Sequence, residues 1–479
     1  MENIKRQGLL GVIYFLGNSS YSAVLGLVAN LVFTIFLTPA EYGLYFIVLS
    51  LIAIFNYFTD LGLAAALIQR KDPKEEEFYT AFTIQLTLVT IIVIIGLLVT
   101  PLIRVWYHFD QTGTHLYLAM LFSLFTLSFK SVPSTRLERK LDYSKIVITQ
   151  AFENTLFYGV SIVLMLSGFK IYALVIAIVL RSILGAGLIY WFTRWVPRIY
   201  FSRQYAKGIL SFGIPFQANV FLAFIKDDLL NLYMAQRLGL SGIGYVGWAK
   251  KWAEAALRII MDNVNRVIFP IFSKFQDDPL KIKKGIEKLI FYNSLILLPV
   301  LIGAYLTMPI FIQIIPKYQK WIIAMPAFNY FLISSFLVSL YSPIMSVFNS
   351  LGKVKTSVKF MLLWIALNWT VVPLLIGLYN YTGVGMAFAI NSLGFILVWY
   401  KIRQFTPVDF LASLKAPAVS ALVMFLAVRV IQSLVSSNLY QNLFITILVG
   451  LLSYSFSVLF LTKGHFLNEI KELLQKKTD

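Results

Sequence analysis

GIGYVGWAKKWAEAALRIIMDNVNRVIFPIF, residues 242–272, decides how the rest of the chain must be read. It is as long as a membrane-crossing helix, which needs roughly 20 residues at about 1.5 Å rise each. Yet its middle carries Lys250, Lys251, Glu254, Arg258, Asp262 and Arg266. At helical spacing Lys251, Glu254, Arg258, Asp262 and Asn265 share one face, with Lys250 and Arg266 flanking it. The opposite face is apolar: Ile243, Val246, Leu257, Ile260, Val264 and Ile268. A charge at the bilayer centre costs roughly 2.5–3.5 kcal/mol on insertion scales, so such a stripe must face a bundle interior or water. Three readings are open. The stripe is a self-neutralising i,i+4 ladder from Lys250 to Arg266, or a helix outside the membrane, or the wall of a polar cavity. The preceding helix carries Lys226, Asp227 and Asp228 at its own midpoint, and charge on two successive spans favours the cavity.

Composition sets the class. The 479 residues are 59% hydrophobic and 13% charged, against about 45–50% and about 25% in soluble domains. This is an all-α polytopic membrane protein. With no cysteine and only His108, His115 and His465 among imidazoles, neither a metal site nor a cofactor is expected. The first apolar run, 8–37, is too long for a signal-peptide core and reads as an uncleaved first span. About fourteen spans follow from the hydropathy, at 8–37, 42–68, 79–101, 115–136, 146–168, 171–193, 209–237, 242–272, 288–313, 321–350, 357–380, 383–402, 412–434 and 440–462. The net charge of +19 would suit nucleic acid, but its placement excludes that partner. Arg70, Lys71, Arg136, Arg139, Lys140, Arg198, Lys283, Lys284 and Lys353 all fall in connections on one side. That bias places both termini in the cytoplasm.

The chain repeats itself weakly. Residues 37–45, LTPAEYGLY, join the first two spans, and 238–245, LGLSGIGY, join the seventh and eighth. Each has Leu and Gly six apart and then an aromatic residue, in the same orientation. Two pseudo-symmetric six-helix lobes, 1–193 and 209–404, are therefore expected, with a linker at 194–208 and an additional helix pair at 405–462. Residues 273–287 and the tail 463–479 alternate lysines with apolar residues, as interfacial helices on the inner leaflet do. Further polar residues inside spans are Asn30, Asn56, Asp60, Lys130, Glu153, Arg181, Gln217, Asn219 and Arg429. Each has a bland reading, as helix-packing glue or half of an ion pair.

Taken in order, these features resemble the polysaccharide-transporter branch of the multidrug/oligosaccharidyl-lipid/polysaccharide exporter superfamily, the Wzx-type oligosaccharide flippases. The resemblance is carried by 37–45, by TDLGLAAALI at 59–68, by Asp228 with Leu238-Gly239 and Gly244-Tyr245, and by RVIFPIFSKFQDD at 266–278. It implies a carrier that moves a polyprenyl-pyrophosphate-linked oligosaccharide, on undecaprenol, between the leaflets of the bacterial inner membrane by alternating access. On that reading Lys226, Lys250, Lys251, Arg258 and Arg266 bind the anionic cargo from the second lobe, and Lys130 and Arg181 from the first. Asn30, Gln217 and Asn219 meet sugar hydroxyls. No GxxxxGK[ST] motif is present, so the expected energy source is an ion gradient of H+ or Na+, or removal of the product. Its candidate carriers are Asp60, Glu153, Asp227, Asp228, Glu254 and Asp262. Membrane lipids and the polysaccharide polymerase or export machinery are the remaining expected partners.

The rivals are a lipid II flippase or ion-coupled drug exporter of the same superfamily, a membrane glycosyltransferase or polymerase, and a non-transporting scaffold. Drug exporters favour acidic cavities, whereas the excess here is cationic. An enzyme would need larger outer loops than this chain has, and a scaffold has no use for charge at mid-membrane depth.

Overall fold

The computed structural model describes residues 2–59, 61–276, 278–434 and 438–463. Side chains are described within those ranges except at 2–13, 16, 214–223, 262–263, 265–267 and 269–270. The described residues are mostly helical, with no strand among them. The chain runs through α1 (Glu2–Phe36), α2 (Pro39–Thr59), the short α3 (Leu63–Gln69), α4 (Glu75–Tyr107), α5 (Gln111–Arg139), α6 (Tyr143–Leu166) and α7 (Tyr172–Thr193). It continues with α8 (Arg203–Ser273), α9 (Pro279–Ile314), α10 (Met325–Ser350), α11 (Val354–Ser392), α12 (Phe395–Arg403), α13 (Phe410–Leu434) and α14 (Leu439–Thr462). Helix starts follow local chemistry. The Asp110 carboxylate accepts from the Gly113 amide at 2.7 Å, and Asn438 caps α14 from Gln441 at 2.9 Å. Asp278 caps α9, with Pro279 as its first residue.

Eleven of the described helices are long and apolar enough to cross a membrane. One of them, Val354–Arg403, folds back at Asn380, whose φ of 54° breaks the helical path inside the turn expected between the eleventh and twelfth spans. Helix α8 breaks at Gly239, with φ 68° and ψ 179°, between the seventh and eighth expected spans. Its two arms each exceed about 30 residues, or about 45 Å, and carry the charged stripes rather than uninterrupted apolar sequence. Large apolar side chains cover the outside, with Leu98, Phe456 and Phe460 about three-quarters exposed, while Thr34, Gln85, Glu153, Asn293 and Asn391 are buried. That is the reverse of a soluble protein and what a hydrocarbon solvent selects.

Cα packing divides the chain into two compact units, 1–247 and 248–479, so the division falls inside α8. In the first unit α5 packs on α4 and α7, and α6 on α1 and α7. In the second, α10 lies against α11, and α9 against α13 and α14. The second unit begins at a fully buried Trp248, stacked on Trp321 with centroids 5.5 Å apart and donating from Nε1 to the Tyr318 hydroxyl at 3.1 Å. Trp248→Ala removes the ring and its hydrogen bond to Tyr318. We expect it to cost about 3–5 kcal/mol, read as early thermal aggregation in detergent, whereas Trp191→Ala on an exposed site (70%) should change little.

The repeated turns meet one another. A Cβ on Gly43 would overlap the carbonyl oxygen of Leu240, and one on Gly244 would overlap that of Pro39. Glycine therefore stands at the same place in both copies because backbone lies on backbone there. In the 59–68 motif, Gly62 has φ 70° and its α-carbon sits against Gly213.

One expectation is revised. Residues from 279 onward do not form a separate interfacial helix; they are the first turns of the 36-residue α9, and Ile282, Ile286 and Ile290 are buried against Leu340, Ile344, Val398 and Ile402. The basic residues near α3 have structural partners. The Arg139 guanidinium donates to the carbonyls of Leu67, Ile68 and Arg70, closing the end of α3, while Arg136 pairs with Glu75 and Arg70 with Glu77. The amphipathic tail lies outside the described residues from 464 onward.

Candidate functional site: a polar cavity in the first unit

Helix α5 carries Lys130, Ser131, Ser134, Thr135 and Glu138, and α6 carries Thr149, Gln150, Glu153 and Asn154. At three- and four-residue spacing each set forms a stripe along one helix face. The two stripes face a common cavity of about 590 Å³, closed further by Asn56 and Thr59 of α2, Gln85 of α4 and Arg181 of α7. A polar hollow of that size in a bundle with an apolar exterior has the dimensions of a small-molecule or saccharide pocket.

Glu153 is the centre of it. The residue is 5% exposed and its carboxylate pairs with the Lys130 ammonium. The carboxylate occupies a notch on α7 that exists because residue 185 is glycine, since a Cβ there would overlap Oε1 of Glu153. The Arg181 guanidinium lies 5.6 Å from the Phe157 ring centroid and has no carboxylate partner among the described residues. Gln85 is 3% exposed, and its Oε1 has no donor among the described residues. A buried acceptor without a donor is costly, so this oxygen is suited to a hydroxyl arriving in the cavity. Along one side, Asn18 donates to Gln150 at 3.1 Å, Asn154 to Ser22 at 2.8 Å, and Tyr21 meets Thr155 at 2.7 Å. These three bonds tie α1 to the cavity-lining face of α6.

The residues expected from sequence fall into separate groups. Lys130, Glu153 and Arg181 come together in the cavity. Asn30 does not line it; this side chain is buried and its Oδ1 accepts the Tyr42 hydroxyl at 2.8 Å, joining α1 to α2. In the first arm of α8, Lys226 lies 3.4 Å from Asp227, and Asp228 is half-buried with partners of its own. In the second unit the stripe of α8 has the first links of an ion-pair ladder. Glu254 accepts from Arg258 Nη2 at 2.9 Å and stands 4.0 Å from Lys250, whose ammonium lies 4.6 Å from the Phe388 centroid. Arg258 and Lys251 remain exposed on the same face. The side chains of Gln217, Asn219, Asp262 and Arg266, and all of Asp60, lie outside the described residues. Gln85, Glu138, Gln150 and Asn154 were not singled out from sequence. For Glu138, Gln150 and Asn154 the signal is the polar lines at three- and four-residue spacing on α5 and α6, which a search for single intramembrane charges passes over.

Comparison with known proteins agrees with this architecture. Residues 32–326 match the model of a family described as polysaccharide biosynthesis protein. The lipopolysaccharide biosynthesis protein WzxC of Escherichia coli (strain K12) is 25% identical over 387 residues, covering 78% of this chain and 75% of that protein. The teichuronic acid biosynthesis protein TuaB of Bacillus subtilis (strain 168) is 24% identical over 302 residues, 61% of each chain. Among solved structures, a lipid II flippase MurJ in an inward closed conformation superposes with TM-score 0.76 at 14% identity, over 95% of this chain and all of that one. An inward-facing multidrug resistance MATE family transporter of the MOP superfamily gives TM-score 0.60 at 17% identity, over 80% of this chain and 95% of that one. At these identities the structural likenesses establish the fold.

Proposed function

This chain belongs to the polysaccharide biosynthesis protein family, and we propose that it is a flippase for polyprenyl-pyrophosphate-linked oligosaccharide units at the bacterial inner membrane. The relatives and structural neighbours whose names state an activity are transporters or flippases, not enzymes. The observation that carries the reading is the polar cavity buried in an apolar bundle, with a Lys130–Glu153 pair and, among the described residues, no carboxylate on Arg181 and no donor to Gln85 Oε1. A saccharide needs many hydroxyl partners shielded from hydrocarbon, and a phosphate or acidic sugar needs a cation there. Side-chain amides of Asn56, Gln85, Gln150 and Asn154 supply the first need and Arg181 the second.

The finer points belong to the same proposal. The chain makes fourteen crossings, counting both arms of α8 and both limbs of Val354–Arg403, with its termini in the cytoplasm. The lobes 1–193 and 209–404 alternate access, the cationic stripe of α8 (Lys250, Lys251, Arg258 and Arg266) contributes to the cargo path together with Lys226, and H+ or Na+ couples through buried carboxylates. Glu153 is the foremost of these, because it is buried in the cavity beside Lys130.

Depleting the protein in its own host tests the reading. The expected result is a lipid-linked oligosaccharide accumulating on the inner leaflet, with loss of the surface polysaccharide and intact cell walls. Lysis with accumulated lipid II would assign it to cell-wall synthesis. Drug hypersensitivity with normal polysaccharide would assign it to drug export.

A further inference from the structure

A second cavity, of about 510 Å³, lies in the second unit between the first turns of α9 and the first turns of α13. We propose that it holds the phosphate headgroup of an anionic glycerophospholipid. The inference takes the inner-side orientation from the proposed function but no part of the transport cycle.

Three lysines of α9, Lys283, Lys284 and Lys288, line the groove, with the hydroxyl-bearing Tyr292 above them and Ser413 of α13 opposite. Two carboxylates are also present, and both are engaged in building the wall. Glu287 accepts from the Asp409 amide at 2.8 Å, and Asp409 caps α13 by accepting from the Ala412 amide at 3.1 Å. Lys283 stands 3.8 Å from Glu287, whereas Lys284 has no ion pair among the described residues and is exposed. The groove therefore presents an excess of ammonium groups over carboxylates, with the hydroxyl-bearing Tyr292 and Ser413 also in its lining.

Its level along the helix suits a headgroup. Helix α9 has 36 residues, about 54 Å of length against a hydrocarbon core of about 30 Å. Its first turns consequently project past the acyl chains into the interfacial layer. Continuing from Lys288 at helical spacing, the same strip of α9 becomes Ile296 and Val300, both exposed and apolar. On α13 the strip from Ala412 continues to Val419 and Val423, also exposed and apolar. Basic and hydroxyl groups at the end of an apolar track match the division of a phospholipid into phosphate and acyl chains. Basic pockets between membrane helices on the inner side bind anionic headgroups by this arrangement. A free phosphate could satisfy the lysines but not the track.

The test uses the full chain, purified in detergent and exposed to mixed phosphatidylglycerol and phosphatidylcholine, with retained lipid counted by native mass spectrometry. Wild type is expected to retain phosphatidylglycerol over phosphatidylcholine by about tenfold or more, given three lysines near the headgroup. The triple variant Lys283→Gln, Lys284→Gln, Lys288→Gln should lose that preference, and Lys283→Arg, Lys284→Arg, Lys288→Arg should keep it. The single Lys284→Gln, at an exposed residue with no ion pair among the described residues, should weaken it without disturbing the fold. Equal retention of the two lipids by wild type, or an unchanged preference in the Lys→Gln variants, overturns the proposal. Displacement of the lipid by millimolar inorganic phosphate would identify a soluble-anion site and overturn it as well. Because lipid retention requires no transport, either outcome leaves the flippase reading to its own experiment.

Discussion

Gly43→Ala and Gly244→Ala should each destabilise the first unit by about 3 kcal/mol or more, at the upper end of what overpacking costs. In most overpacked sites a neighbouring side chain can turn away. Here the obstruction is the carbonyl oxygen of Leu240 for one residue and of Pro39 for the other, so relief requires moving two helix ends apart. The mutated positions lie at the junction of α1 with α2 and at the start of the second arm of α8, and separating them loosens both turns at once. Gly159→Ala and Gly187→Ala supply the comparison, since a Cβ at either position meets nothing within 4 Å. Alanine there should be neutral or stabilising by up to about 1 kcal/mol through helix propensity. Thermal unfolding of the four variants in one detergent separates the two effects. If Gly43→Ala and Gly244→Ala unfold with the two controls, the backbone contact is wrong.

The second large effect is expected at the Lys130–Glu153 pair. Lys130→Met leaves a buried carboxylate without its cation, and breaking such a pair from one side costs about 3–5 kcal/mol. Removing both charges together, as Lys130→Met with Glu153→Leu, should recover most of that loss, because a desolvated ion pair is often matched by apolar side chains of similar volume. The double variant is the informative one for function. It should insert and remain folded, yet fail to restore surface polysaccharide in a depleted host. Arg181→Gln should likewise fold and fail, since no carboxylate among the described residues is left unpaired by its removal. Full polysaccharide from a folded double variant and from Arg181→Gln together would remove the cavity from the transport path.

The importance of Gly43 and Gly244 was partly visible in the sequence, as matching turns about two hundred residues apart, but a repeat says nothing about whether its copies touch. Lys130, Glu153 and Arg181 were visible as charges inside apolar runs, and the cost of exposing them to lipid was enough to turn them inward. That they share one cavity was not visible, because they lie on α5, α6 and α7, whose rotations about their own axes are set by packing. Gln85 was less legible still. A single amide in a long apolar helix is ordinary, and only its burial, with an oxygen that meets no donor among the described residues, marks it out. Lys283 and Lys284 read as membrane-surface charge, and the continuity of α9 was hidden because Asp278 and Pro279 signal a helix start without indicating where that helix ends.

The sequence by itself determined that this is a helical membrane protein with turns at 37–45, 238–245 and near Asn380, because hydrocarbon tolerates few charges and no unpaired backbone. It also determined which side chains could not face lipid. Only the tertiary structure decided which of them meet. It joined Lys130 to Glu153 in the notch left by Gly185, tied Asn30 to Tyr42, and gave Arg136 and Arg139 partners near α3. The physical reason is that burial is fixed by each residue's own transfer energy, whereas partnership depends on helix rotation and depth, which arise from the packing of many side chains together.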